Sequence, residues 1–465
     1  MEGEKKVRCL FGTDGVRDVA NKGLMTPELA LRLGRSFVLY LTERGVPRPR
    51  VVVGRDTRRS GIMIESAVVA GMMSAGAHVL DAGVIPTPGV SFLVRHRHAN
   101  GGCIISASHN PAEYNGIKFL DCEGRKLADE SEATIEEYLG DNLIDDWRPT
   151  GASVGISEDV SSGGDEYSQW ILTLLHEPKL ADCPVVVDCA NGAAVPVFGR
   201  LSQRLPGWSF IGMEPTGLNI NEGFGVMHMA SLADSVLAKR ASFGIAYDGD
   251  ADRVLCVDGC GRIIDGDIML WVLGRWLSRS GALGSGVVAT VMSNMALEEH
   301  LVAEGIEVFR CPVGDRYVME TMRHHGAALG GEQSGHIILS QFVMTGDGLC
   351  TGFLFLRACA ELGEDISTLV DRFGRYPQLL RNVEMSRESR LSFDRIREIS
   401  QSAADMLGDE GRVLIRPSGT EPLLRVLVEA KNPDKMREVS EIILERIRSI
   451  NGKEVSPHSK EAVSR

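Results

Sequence analysis

Positive charge is scarce in this sequence. Its 50 Lys and Arg stand against 63 Asp and Glu, a formal net charge of −13. Such a balance argues against a nucleic-acid surface, although a local cluster of Arg, Lys or bound cation still suffices for a small anion. Long apolar runs are missing as well. The most hydrophobic helix candidate, Ile268–Leu277, is interrupted by Arg275 and falls far short of the ~20 residues that span a bilayer. Met1–Arg8 is charged with no apolar stretch behind it, so no signal peptide is expected. Cys256 and Cys260 come nearest to a metal pair among the ten cysteines. No second pair follows them, so buried free thiols are the expected state. The expectation is a cytoplasmic protein that binds neither nucleic acid nor membrane.

What is present is a long chain of ordinary soluble composition. At 465 residues and 43% hydrophobic, it has room for three or four domains of about 150 residues or fewer. Short apolar strands alternate with helices: Thr26-Pro27 caps a helix striped with Leu29, Leu33, Phe37 and Leu41, and the strand Val51–Gly54 follows. The alternation predicts an α/β chain with largely parallel sheets and a smaller C-terminal α+β unit. The expected boundaries are 1–150, 151–254, 255–370 and 371–450, with Asp141–Gly164 as a polar linker and 451–465 as a disordered tail.

Chemistry-bearing residues collect on loops at strand ends, where ligands bind in open α/β sheets. The apolar run Cys103–Ile105 delivers Ser106-Ala-Ser-His-Asn-Pro111, and Lys118 sits on the extended run beyond it. Ser108 lacks the Gly-x-Ser-x-Gly elbow of hydrolases; an ordinary strand–turn–strand connection is the competing reading. Phe243–Tyr247 runs into Asp248-Gly-Asp-Ala-Asp-Arg253, whose alternating carboxylates can converge on a hard cation such as Mg²⁺. A solvated acidic turn is the alternative. An EF-hand is excluded, because Arg253 and Gly259 occupy its glycine and glutamate positions. Gly314, Asp315 and Arg316 form a loop in which Arg316 is free to face a cleft. Glu332 and Ser334 alternate, so in an extended loop they point the same way, toward the hydroxyls or amine of a sugar. Arg416, Ser418, Gly419 and Thr420 have the makings of a phosphate cradle, though not a Walker A loop. Near the N-terminus, Arg17 closes a glycine-bracketed loop and could hold a phosphate.

SASHNP, DGDADR, GEQSGH and RPSGTEP, in this order and spacing, resemble the α-D-phosphohexomutase superfamily over essentially the whole chain. GTDGVR and the GEQSGH form look most like its phosphoglucosamine mutase branch. The resemblance implies a heart-shaped protein of four domains, three with mixed or parallel sheets. It implies phosphate on Ser108, and Mg²⁺ held by that phosphate with Asp248, Asp250 and Asp252. The implied reaction interconverts glucosamine 6-phosphate and glucosamine 1-phosphate through a 1,6-bisphosphate, with that compound or glucose 1,6-bisphosphate as activator. Lys118 foremost, then His109 and Arg17, are the candidates for proton handling and phosphate contact. Arg253, Gly314, Asp315, Arg316, Glu332, Ser334, His336, Arg416, Ser418, Gly419, Thr420 and Arg425 are the candidate substrate contacts. A homodimer is a candidate assembly. Gly225-Val-Met-His228 departs from the family's Gly-Ser-Thr-His by losing two hydroxyls. The rivals are a phosphomannomutase/phosphoglucomutase, whose relatives tend to carry Met where Gln333 stands, and a non-catalytic sugar-phosphate-binding protein.

Overall fold

The computed structural model describes residues 10–12, 14–140, 143–385, 392–417 and 423–451. They fall within two compact units, Met1–Met292 with Leu301–Arg372 and Ser293–His300 with Phe373–Arg465. Of the expected tail, 451–465, Asn451 ends the helix Pro433–Asn451 and the rest lies outside the described residues.

In the larger unit, strands β1 (Val16–Val19), β2 (Arg50–Arg55), β3 (His78–Val84), β4 (Gly101–Ile105), β5 (Tyr114–Leu120) and β6 (Ile156–Asp159) make one sheet. Its order is β1-β5-β4-β2-β3-β6. Strands β4, β2, β3 and β6 are parallel, while β5 turns back against β4 and β1 against β5. Side chains alternate between faces along a strand. Val51, Val53, Cys103 and Ile105 accordingly enter one core with Phe37 and Val68, and Val52 and Ile104 enter another with Val90 and Leu93. Both faces are covered by helices, which is why these strands read as unbroken apolar runs. The helix Pro27–Glu43 begins as its sequence predicts, with Thr26 Oγ1 accepting the Leu29 N–H.

Two further sheets repeat this plan. β7 (Val185–Asp188), β8 (Trp208–Ile211), β9 (Phe243–Tyr247), β10 (Val254–Asp258) and β11 (Ile263–Ile264) are ordered β11-β10-β9-β7-β8. β12 (Val287–Thr290), β13 (Val308–Cys311), β14 (Leu329–Gly331) and β15 (Ile337–Leu339) are ordered β13-β12-β14-β15. In each sheet a parallel strand turns back into an antiparallel neighbour, β4 into β5, β9 into β10 and β14 into β15. The three turns carry Ser108, the three aspartates, and Glu332 with Ser334. The smaller unit holds the antiparallel sheet β16 (Gln378–Glu384), β18 (Leu423–Ala430), β17 (Gly411–Pro417), in that order.

Two expectations need correction. The supposed linker contains β6, whose residues Ile156-Ser-Glu-Asp are all exposed and so leave no hydrophobic signature; backbone pairing with β3 holds it. Leu255–Asp258, expected to open the third unit, instead continue from Val254 as β10 of the second sheet, because the acidic loop reverses the chain. The cysteines divide: Cys103, Cys189, Cys256, Cys311, Cys350 and Cys359 are buried free thiols, but Cys122 and Cys260 are exposed. Among the described residues no helix is long and apolar enough to cross a membrane.

A buried polar pair joins two helices of the larger unit. Asp347 caps the helix Gly348–Leu362 by accepting the Cys350 N–H at 2.9 Å, and Tyr167 of the helix Gly163–Thr173 donates to it at 3.0 Å. Burial pushes the Asp347 carboxyl up to about 7, against the pull of its hydrogen bonds. The folded chain therefore binds more protons here than the unfolded one between about pH 4 and pH 7. Stability falls as pH rises through that window and is level above it, by up to about 4 kcal/mol in all. Urea unfolding at pH 5, 6, 7 and 8 should show the wild type losing stability relative to Asp347→Asn until about pH 7; parallel profiles would refute the shift.

Candidate active site

Ser108 lies at the end of β4 in a left-handed conformation, φ 52°, unfavourable for a side chain with a Cβ unless its surroundings hold it. They do so at both ends of the residue. Its N–H donates to Ser106 Oγ at 2.9 Å, and Ser106 Oγ donates to Asp56 at 2.6 Å. Its carbonyl accepts from Arg58 Nη2 and from Asn221 Nδ2, each at 2.9 Å. Arg58 also donates to the carbonyls of Asn110 and Tyr114, at 2.8 and 3.0 Å, and pairs with Asp56 at 2.9 Å. Both members of that ion pair are fully buried. With the backbone fixed, only the Ser108 hydroxyl remains adjustable. It donates to Asp248 Oδ2 at 2.6 Å and lies 3.2 Å from His109 Nδ1.

The acidic loop is built by drawing its carbonyls outward. Tyr247 O accepts from Val226 N–H at 3.1 Å, Gly249 O from Ala193 at 2.8 Å, Asp250 O from Thr87 at 3.0 Å and Ala251 O from Gly348 at 3.0 Å. The carboxylates are left to converge. One oxygen from each of Asp248, Asp250 and Asp252 lies within 4.8 Å of the others, and all three residues are buried. Asp250 Oδ1 and Asp252 Oδ1 are buried without a hydrogen-bond partner among the described residues. Oxygen-only donors, two of them unsatisfied, fit a hard divalent cation. Burial and the neighbouring Asp252 and Asp250 push Asp248 well above the usual carboxylate range. Burial acts on Asp252 too, but His336, Lys118 and Arg253 outweigh it and hold that carboxyl well below the range.

Cations surround the triplet. Lys118 Nζ is 3.4 Å from Asp250, 3.8 Å from Asp252 and 3.1 Å from Asp14. Arg17 pairs with Asp14. Arg253 donates its N–H to Asp248 Oδ1 at 3.2 Å, and its guanidinium is 3.9 Å from Asp252. His336 Nδ1 lies 3.8 Å from Asp252, which raises its pKa despite burial. His109 goes the other way: burial, with Arg253 and Arg17 nearby, lowers it to about 4, so the ring is neutral near pH 7. Lys118 thus lies against the triplet, Arg17 against the Asp14 that Lys118 also contacts, and His109 beside Ser108.

The sugar-loop residues depart from expectation in two respects. Glu332 and Ser334 stand in a tight turn, not an extended loop, with Ser334 Oγ 3.4 Å from Glu332 Oε2. Glu332 Oε1 accepts the Gly314 N–H at 3.0 Å, so this carboxylate also ties two loops together. Gly314 immediately precedes the helix Asp315–His325. Arg316 is not free: it pairs with Asp129 and lies 3.5 Å from Glu320. Asp315 is 3.6 Å from Lys126. In the smaller unit Arg416 and Arg425 are cross-strand partners on β17 and β18; Ser418, Gly419 and Thr420 lie outside the described residues. The hydroxyl-depleted loop buries Val226 in the second sheet's core and exposes Met227 and His228.

Sequence reading left Asp56, Arg58, Thr87 and Asn221 out of the site. Arg55-Asp-Thr-Arg58, at the carboxyl end of β2, was the available signal for the first two. Thr87 hydrogen-bonds Asp250 Oδ2 at 2.7 Å across 163 residues, which no local pattern announces. Breaking a buried ion pair by removing one partner costs about 3–5 kcal/mol. Arg58→Met should lose stability of that order in urea unfolding, and Asp56→Asn/Arg58→Met should regain part of it.

The chain matches phosphoglucomutase/phosphomannomutase, alpha/beta/alpha domain I, over residues 8–143. It matches domain III of the same family over 265–376 and the C-terminal domain over 380–446. The phosphoglucosamine mutase of Oceanobacillus iheyensis is 44% identical over 439 residues, covering 93% of this chain and 97% of the relative. A phosphoglucomutase/phosphomannomutase family protein from Burkholderia thailandensis superposes with a TM-score of 0.79 at 24% identity, covering 97% of this chain and 98% of the other. Aspergillus fumigatus N-acetylphosphoglucosamine mutase, solved with GlcNAc-6P and magnesium, has a TM-score of 0.65 at 18% identity, covering 95% and 96%. The chain belongs to the phosphoglucomutase/phosphomannomutase family, the α-D-phosphohexomutases, and within it is most like the phosphoglucosamine mutases.

Proposed function

We propose that the chain interconverts glucosamine 6-phosphate and glucosamine 1-phosphate, with Ser108 as the phosphoryl carrier. The observation that carries this is the immobilised Ser108, its hydroxyl 2.6 Å from a buried carboxylate cluster built for a cation. Phospho-Ser108 gives its phosphoryl group to O1 of glucosamine 6-phosphate. The 1,6-bisphosphate reorients, and its 6-phosphate returns to Ser108, releasing glucosamine 1-phosphate. The same bisphosphate, or glucose 1,6-bisphosphate, serves as activator by phosphorylating an empty Ser108.

Asp248, Asp250 and Asp252 would hold the cation, which we take to be Mg²⁺; when bound it neutralises phosphate charge during transfer. The chain's own residues orient and move protons. Arg58, Asp56 and Asn221 hold the Ser108 backbone, so transfer needs only side-chain rotation. Lys118, set between Asp14 and Asp250, is our first choice for the proton at the accepting hydroxyl, with neutral His109 beside Ser108 as the second. Arg253 and Arg17 supply positive charge. Glu332 and Ser334, with Gly314, Asp315, Arg316 and His336, form the proposed sugar-facing set. Arg416 and Arg425, cross-strand partners on β17 and β18, are the proposed phosphate-binding pair of the smaller unit, since guanidinium groups hold phosphate oxygens bidentately. We also propose one domain per sheet, and a cytoplasmic location consistent with the composition.

Intact-mass and peptide analysis should find phosphate on Ser108, and Ser108→Ala should lose nearly all turnover of glucosamine 6-phosphate. Wild-type rates in that variant, with bisphosphate supplied, would sink the reading. A second expectation concerns the amine. A hydrogen bond to a charged group contributes about 1.5–3 kcal/mol, which puts glucosamine phosphate ahead of glucose phosphate by roughly ten- to a hundredfold in kcat/KM. Glu332→Gln should shrink that ratio without changing Ser108 phosphorylation. Equal losses on both sugars would mean that Glu332 holds the ring without sensing the amine.

A further inference from the structure

The turn Gly346-Asp347-Gly348 takes no part in the chemistry above, yet it presses on the carboxylate site from two sides. Gly348 N–H donates to Ala251 O at 3.0 Å. Ala251, between Asp250 and Asp252, is held left-handed at φ 57°. A Cβ on Gly348 would stand 2.6 Å from Arg253 O and 3.0 Å from Ala251 O, so only glycine allows this approach. A Cβ on Gly346 would meet the His336 ring at 2.4 Å, and His336 is the residue beside Asp252. Asp347 is clamped between them. Its side chain accepts from Cys350 N–H and from the Tyr167 hydroxyl, which lies 3.0 Å from each of its oxygens, and its N–H reaches Ile337 O at 3.4 Å. A helix cap needs one acceptor. It needs neither flanking glycines fitted to a neighbouring loop nor a buried tyrosine from another helix.

We propose that this turn, locked by Tyr167, positions the metal loop: it sets the left-handed bend at Ala251 and so the convergence of Asp250 and Asp252. Gly346, Asp347, Gly348 and Tyr167 are positioning residues in this scheme and touch neither cation nor substrate. The inference rests on the cation site proposed above.

Mn²⁺ binding to the dephosphorylated full chain, read from loss of the free-ion EPR signal, tests it apart from turnover. Gly348→Ala should weaken Mn²⁺ affinity at least tenfold, and Tyr167→Phe severalfold. Asp347→Asn keeps an acceptor for the Cys350 N–H and should recover most of the affinity that Asp347→Ala loses. Cys359→Ala, at the far end of the same helix, should lower the thermal midpoint and leave Mn²⁺ affinity intact. Folded Gly348→Ala and Tyr167→Phe proteins that bind Mn²⁺ like the wild type would reduce the turn to a helix cap and overturn the proposal. Should Gly348→Ala fail to fold, Tyr167→Phe, which removes one oxygen, decides alone. A wild type that binds no Mn²⁺ would instead overturn the cation reading, and this inference with it.

Discussion

Asp248, Asp250 and Asp252 are gathered where water is largely excluded, and like charges so placed repel far more strongly than they would at a surface. Only a chain that supplies compensating charge and a rigid backbone can hold them. Lys118, Arg253 and His336 supply the first. The second comes from Val226, Ala193, Thr87 and Gly348, whose N–H groups hold four of the loop's carbonyls. These donors come from four separate stretches of the chain, so the loop takes its shape only when the first and second sheets and the helix Gly348–Leu362 have docked. The cation site is in that sense a product of tertiary structure and not of the six-residue motif.

The division of labour between neighbouring carboxylates follows from the same crowding. Asp248 and Asp252 are chemically identical and both buried, yet the former is pushed toward the neutral form and the latter toward the charged one. Asp252 faces His336 and Lys118, whereas Asp248 faces its fellow aspartates. The Ser108 hydroxyl donates to Asp248, the carboxylate poorest in positive neighbours.

How much of this could be read beforehand depended on sequence separation. Ser108, the aspartates and Glu332 were legible because polar groups at the ends of apolar strands stand out against what surrounds them. The strands β2, β4 and β9 were legible for the same reason. Strand β6 was not, since an exposed edge strand needs no apolar side chains. Arg316 reads as a free cation in the sequence because nothing near position 316 reveals Asp129 across the fold. Arg58 and Asp56 were visible as a polar cluster, but their grip on Ser108 spans 50 residues, and that of Asn221 spans 113. Contacts of that range are set by how whole sheets dock, a property no local window contains.

In each sheet of the larger unit the reactive turn joins a strand to its antiparallel neighbour, with both flanks zipped by ladder hydrogen bonds. Adding one residue to a flanking strand would slip its register and send every side chain beyond it to the opposite face. Lys118, just past the Ser108 turn on β5, would swing from the carboxylates into the covering helices. Turns of this construction accept exchanges of one residue for another but resist changes of length. Variation of the turn between β14 and β15 is therefore confined to point substitutions, and if that turn reads the sugar as proposed, new specificities must arise without altering the spacing of Glu332, Gln333 and Ser334.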